Sequence, residues 1–166
     1  MSWKTSCVSP PASPPEAGGA PLPFVFVDRS LGRLQVPRLL REAGVELITL
    51  AEYYGIPADE TVDDVTWLAD SAQRGWVAFM KDARIRRRPA ERRAIQMHRA
   101  RCFCITNMNL PSAEMAQRYL DNLAAIAWAA REPGPFMYAV HANRIERLGV
   151  DGPADAARRE LGRGRS

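Results

Sequence analysis

Five short apolar runs decide most of what this chain can fold into. They are Phe24–Val27, Val45–Leu50, Trp76–Met80, Arg101–Thr106 and Phe136–Val140. Within them apolar residues do not alternate with polar ones, as they would in a strand with one wet face. Strands of this kind need cover on both faces, which a parallel sheet between helical layers provides. The segments between the runs carry helical spacing. Trp67, Leu68 and Ala72 form one such stripe, and Met115, Tyr119, Leu123, Ile126 and Ala127 another. The expectation is an α/β fold, a three-layer α/β/α sandwich on a mainly parallel sheet of four or five strands.

Local signals place the elements. Gly44 and Gly75 stop helices, and Pro37 bends or restarts the first helix, whose apolar side holds Leu31, Leu34, Leu39 and Leu40. Tyr53 to Val62 reads as a loop. Asp63 or Asp64 caps the next helix, and Pro89 starts another. Ser112 is expected to cap one long helix, and Phe136–Val140 to be the last strand. Trp67, Trp76 and Trp128 are assigned to the core, and Tyr53-Tyr54 to loop packing. No role is assigned to His98 or His141.

Residues 1–23 hold six of the chain's thirteen prolines and too little apolar surface to offset ordering. They are expected to be a disordered tail, residues 24–148 the folded domain, and residues 149–166 a flexible charged tail. No apolar run reaches the ~18 residues that a membrane helix needs, and no signal peptide is evident, so a cytoplasmic protein without a membrane partner is expected. The cysteines number three, Cys7, Cys102 and Cys104. Cys102 and Cys104 alternate along an apolar strand and are read as buried small hydrophobes.

Three aspartates carry the chemistry. Asp28 follows the first run, Asp82 follows the third, and Asp64 opens a helix. Carboxylates just past parallel strands sit at the carboxyl edge of the sheet, where such folds bind ligands. Acids gathered there raise one another's pKa unless a cation neutralises them. Hard, oxygen-liganded Mg²⁺ or Mn²⁺ suits that role, and the pattern points to metal-dependent chemistry on phosphodiesters.

The charge is local as well. The net charge is +4, yet residues 81–101 hold nine cationic residues against Asp82 and Glu91. Arg84, Arg86, Arg87 and Arg88 follow the third aspartate directly. Guanidinium geometry matches phosphate, so these four are candidates for RNA contact, with an acidic partner protein as the other reading.

Several stretches, in this order, resemble the PIN-like domain family and its VapC-type toxin ribonucleases. Phe26-Val27-Asp28-Arg29-Ser30-Leu31 is similar to the family's first strand and aspartate. Leu39 to Val45 is similar to its first helix and turn, and Asp64-Val65-Thr66-Trp67-Leu68 to a recurring Asp-x-x-Trp-Leu. Lys81-Asp82-Ala83-Arg84-Ile85 is similar to a strand end in Thr-Arg-Asp, and Arg88-Pro89-Ala90-Glu91-Arg92 to Asn-Pro-x-Glu-Arg. Pro135-Phe136 and Arg144-Ile145-Glu146-Arg147-Leu148 complete the match over residues 24–148. The resemblance implies a metal-dependent endoribonuclease, the toxin of a toxin–antitoxin pair. It also implies an antitoxin protein as partner, and a homodimer. Asp28, Asp64 and Asp82 would be both catalytic and metal-holding residues. Two departures stand out: Arg29 replaces an acid, and no fourth acid is evident, with Asn107 and Asn109 as possible polar substitutes. They keep open a PIN fold that binds RNA or a partner with catalysis impaired. A response-regulator-like domain is disfavoured, because neither adjacent acids after the first strand nor a switch lysine is present.

Overall fold

The computed structural model describes residues 21–151; most of both expected tails, 1–20 and 152–166, lies outside the described residues. The apolar runs become strands β1 (Val25–Val27), β2 (Leu47–Thr49), β3 (Val77–Met80), β4 (Arg101–Cys104) and β5 (Phe136–Val140). A sixth strand, β6 (Ile145–Leu148), joins them in the order β2-β1-β3-β4-β5-β6. The first five are parallel, and β6 runs antiparallel to β5. The expected sandwich is therefore present with one strand more than foreseen.

Helices cover both faces: α1 (Gln35–Glu42), α2 (Leu50–Tyr54), α3 (Asp64–Gln73), α4 (Pro89–His98), α5 (Ser112–Asp121) and α6 (Leu123–Ala129). The pleat of each strand divides its side chains between two cores. Val25, Val27, Phe79 and Phe103 pack with Val36, Leu40, Met115 and Tyr119 of α1 and α5. Phe26, Ala78, Met80, Cys102 and Cys104 pack with Trp67, Leu68 and Ile95 of α3 and α4. Every residue of β1 and β3 is buried. That explains their unbroken apolar character, each large side chain contributing about 1.5–3 kcal/mol by leaving water. Burial pushes the Cys102 thiol up to about 12, so it behaves as a core residue.

Several expectations fail for tertiary reasons. The presumed loop from Tyr53 begins inside α2, which Thr49 and Glu52 open with a reciprocal capping box. Leu34 is 81% exposed, because the first helix restarts at Gln35 and turns Val36 and Pro37 inward instead. The long helix breaks at Asn122, whose buried amide donates to Arg118 O (2.7 Å) and His141 O (2.9 Å). Ser112 is the first residue of α5, and Pro111 holds the cap position. Trp128 is 66% exposed rather than core, with the Arg131 guanidinium 4.6 Å above its ring. His141, to which the sequence assigns no role, pairs with Glu146, its Nε2 lying 2.8 Å from Glu146 Oε2. Tyr53 packs edge-on against Phe26 and Trp76, as a packing role requires.

The sheet order fixes where a site can form. From β1 the chain goes outward to β2, and then crosses back to place β3 on the other side of β1. This reversal leaves a crevice between the carboxyl ends of β1 and β3, which is where open α/β sheets bind ligands.

Candidate active site

The crevice holds the three predicted aspartates. Asp28, Asp64 and Asp82 line one cavity of about 190 Å³, with Ser30, Trp67 and Met80. Asp28 directly follows β1, and its backbone N–H donates to Phe79 O (3.0 Å), so the strand ladder itself places it. Its Oδ2 accepts from Ser30 N (3.1 Å) and caps a 3₁₀ turn, Arg29–Leu31. Its Oδ1 is buried and has no partner among the described residues. Burial raises the Asp28 carboxyl above its usual range, and the nearby charge of Asp64 adds to this.

Asp82 caps the matching 3₁₀ turn, Ala83–Arg87. Its Oδ1 accepts from Arg84 N and Arg84 Nε, both at 3.0 Å. Partial burial acts to raise its pKa. The Arg84 hydrogen bonds and the Arg84 and Arg88 charges outweigh that, so the carboxyl lies below its ordinary value. Asp64 opens α3, and Asp63 rather than Asp64 caps that helix by accepting from Thr66 N (2.7 Å). Asp64 is thereby free for the cavity. Its Oδ1 accepts from Trp67 Nε1 (2.9 Å). The Trp67 ring is fully buried, so its one polar atom holds the carboxylate in place.

Arg88 stands between two of the acids. Its Nη1 is 3.3 Å from Asp64 Oδ2 and its Nη2 is 3.3 Å from Asp82 Oδ2. Among the described residues, no three His, Cys, Asp or Glu side chains converge closely enough to enclose a metal ion. The guanidinium instead balances Asp64 and Asp82. The chemistry of the donors still suits a hard divalent cation: all three are carboxylates, and one buried oxygen lacks a partner.

Arg29, which replaces the acid of the resembled family, lines the cavity but turns its guanidinium to the segment before α3. Its guanidinium donates to Asp59 O (3.0 Å), Glu60 O (2.8 Å) and Val62 O (2.6 Å). It straps the segment before α3 to the end of β1. Arg33 adds a salt bridge to the buried Asp59 at 2.8 Å. Below the crevice, the Tyr119 hydroxyl donates to Met80 O (2.8 Å) and Phe103 O (3.0 Å), tying α5 to the ends of β3 and β4. Asn107 and Asn109 do not line the cavity; Asn107 Oδ1 accepts from Asn109 N in a local turn.

Sequence reasoning found the acids but missed three supports: the Trp67 N–H, the Arg29 strap and the Arg88 bridge. The first was accessible, since residues three apart share a helix face. The other two depend on contacts between distant segments. A larger groove of about 660 Å³ lies over α1 near Arg33, Arg38 and Arg41. Those cations are already paired with Asp59, Glu60, Glu42 and Glu52, so the groove offers no unpaired chemistry.

Comparison with known proteins supplies a family and a relative. The pattern of the PIN-like domain family matches residues 23–107. The chain is 49% identical over 129 residues to the inferred ribonuclease VapC45 of Mycobacterium tuberculosis, an alignment covering 78% of this chain and 94% of that one. No solved structure matches the chain.

Proposed function

This chain belongs to the PIN-like domain family, and from that premise we propose that it is a metal-dependent endoribonuclease, the toxin of a toxin–antitoxin pair. The observation that carries this reading is the cavity at the β1–β3 crevice, lined by Asp28, Asp64 and Asp82, with one buried carboxylate oxygen left without a partner among the described residues. The likeness to a relative named as a ribonuclease supports the substrate class.

Asp28, Asp64 and Asp82 would hold Mg²⁺ or Mn²⁺. A bound cation of this kind supplies Lewis-acid polarisation at the phosphodiester and makes water more acidic. The chain's own residues prepare the place. Asp28 is kept dry at the end of β1, which strengthens its attraction for positive charge. Trp67 keeps Asp64 turned inward, and Arg84 holds Asp82. Arg88 neutralises two acids in this state, and in the working enzyme it exchanges them for a substrate phosphate, which its planar fork also fits. The expected partners are RNA, an antitoxin protein that blocks the cavity, and a second copy of the chain.

A second reading has one observation in its favour. Because Arg88 spans Asp64 and Asp82, the protein could keep the fold and bind RNA with catalysis lost. One assay separates the two. Purified protein is incubated with single-stranded RNA in Mn²⁺ or in EDTA, beside Asp28→Asn. Cleavage that requires both Mn²⁺ and Asp28 is the expected result. Cleavage indifferent to both would sink the proposal, and tight, salt-sensitive binding without cleavage would favour the second reading.

A further inference from the structure

The 3₁₀ turn Ala83–Arg87 connects the carboxylate cavity with a second one. This neighbour measures about 240 Å³ and is lined by Arg84, Arg86, Arg87 and Thr106, with Ala83 and Leu148 as apolar walls. No carboxylate is among those lining residues. The four clustered arginines thus divide into two pairs. Arg84 and Arg88 are engaged by Asp82 and Asp64. Arg86 and Arg87 form no ion pair among the described residues, and both face the second cavity.

Arg86 is fixed there, because its Nη1 donates to Gly149 O at 3.2 Å. Its Nε is buried and has no acceptor among the described residues. No ion pair neutralises the Arg86 guanidinium among the described residues, which leaves its charge for an anion in the cavity. Arg87 is exposed and free to close on such an anion. Thr106 lies just past β4, on the same edge of the sheet as Asp28 and Asp82, and brings a hydroxyl. Guanidinium groups match tetrahedral phosphate oxygens.

We propose that this second cavity holds a phosphate of the RNA strand next to the one at the carboxylates, gripped by Arg86 and Arg87 with the Thr106 hydroxyl. The assignment rests on the ribonuclease reading above and extends it. It also separates two places within one arginine run: Arg84 and Arg88 serve the acids and the phosphate beside them, whereas Arg86 and Arg87 hold the neighbouring phosphate. Contacts of this kind position the substrate without reading its sequence.

The test uses Arg87→Ala combined with Thr106→Val, which spares the carboxylates and the Arg86–Gly149 hydrogen bond. Binding of a fluorescent oligouridine is measured in EDTA across a salt series, with thermal melting as the control for folding. The double variant is expected to bind roughly tenfold more weakly, with a salt slope shallower by about 0.7 and an unchanged melt. Arg38→Ala, on α1, is expected to leave affinity and slope as in the parent. Unchanged affinity and slope in the double variant, while the parent binds RNA, overturn the subsite. Failure of the parent itself to bind RNA overturns the ribonuclease reading instead. Loss of poly-glutamate binding with RNA binding intact would assign the cavity to an acidic protein and also overturn the proposal.

Discussion

The ends of β1 and β3 are neighbours built to the same plan, yet they treat their aspartates oppositely. Each strand is fully buried, each ends near an aspartate, and each aspartate caps a 3₁₀ turn. At β1 the carboxylate is shut away from water, with one oxygen unsatisfied among the described residues and its pKa raised by burial. At β3 the carboxylate is about one quarter exposed, bound by two arginines and shifted down. Two neighbouring strand ends therefore yield one buried, partly unsatisfied acid and one satisfied acid. The difference begins with burial, which is deeper at Asp28, and the nearby arginines widen it. After Asp28, Arg29 turns away to bind the segment before α3. After Asp82, Arg84 turns back to its own cap.

The largest test of this contrast is Asp28→Asn. RNA cleavage is expected to fall by roughly a hundredfold or more, since a site of this type works by concentrated negative charge. The same variant is expected to unfold at higher urea, by on the order of 1 kcal/mol, because it removes a buried charge. Loss of activity together with loss of stability would show that Asp28 is merely structural.

Asp82→Asn is the mirror experiment. It is expected to lower stability by about 1 kcal/mol through weakened charge-assisted bonds to Arg84 and Arg88. The two variants also separate by pH. The folded Asp28 carboxyl is raised, so its contribution is most favourable below the unfolded value of about 3.9 and becomes a cost as pH rises through the raised value. The advantage of Asp28→Asn is thus expected only above that point. Asp82 is lowered, so it stabilises above about 3.9 and loses that effect as pH falls through its depressed value. Urea midpoints collected between pH 3 and pH 8, as a rough range, should therefore diverge in opposite directions. Parallel curves would remove the distinction between the two strand ends.

Trp67→Phe tests the third acid, which belongs to neither strand end. The ring stays buried, but Asp64 loses its hydrogen bond. Stability should fall by about 1 kcal/mol, and Mn²⁺ affinity by roughly tenfold. Calorimetric titration with Mn²⁺ reads the second quantity without relying on turnover, and unchanged affinity would show that Asp64 needs no holder.

The strands and acids were legible because burial on both faces and position at a strand end leave local marks in the sequence. Phe24–Val27 could hardly be anything else, and Asp28 comes directly after it. Other features leave a mark that is easily overlooked, such as the Thr49 and Glu52 pair that starts α2. A third group leaves none. Strand β6 has a polar centre, Glu146-Arg147, and becomes a strand only because β5 offers an open edge. The bend at Asn122 depends on a carbonyl at His141, far along the chain. Trp128 lies outside because α6 begins a new helix after that bend. Arg29 and Arg88 read as generic cations until the fold shows which oxygens they meet.

The Arg29 strap has a consequence for inheritance. One side chain holds three carbonyls of a segment about thirty residues away, so the turn after β1 and residues 59–62 are a single exchangeable unit. In a chimera with a relative that has an acid at this position, importing either piece alone would set a carboxylate against a row of carbonyl oxygens or leave the segment unheld. The two pieces should be compatible only when they travel together.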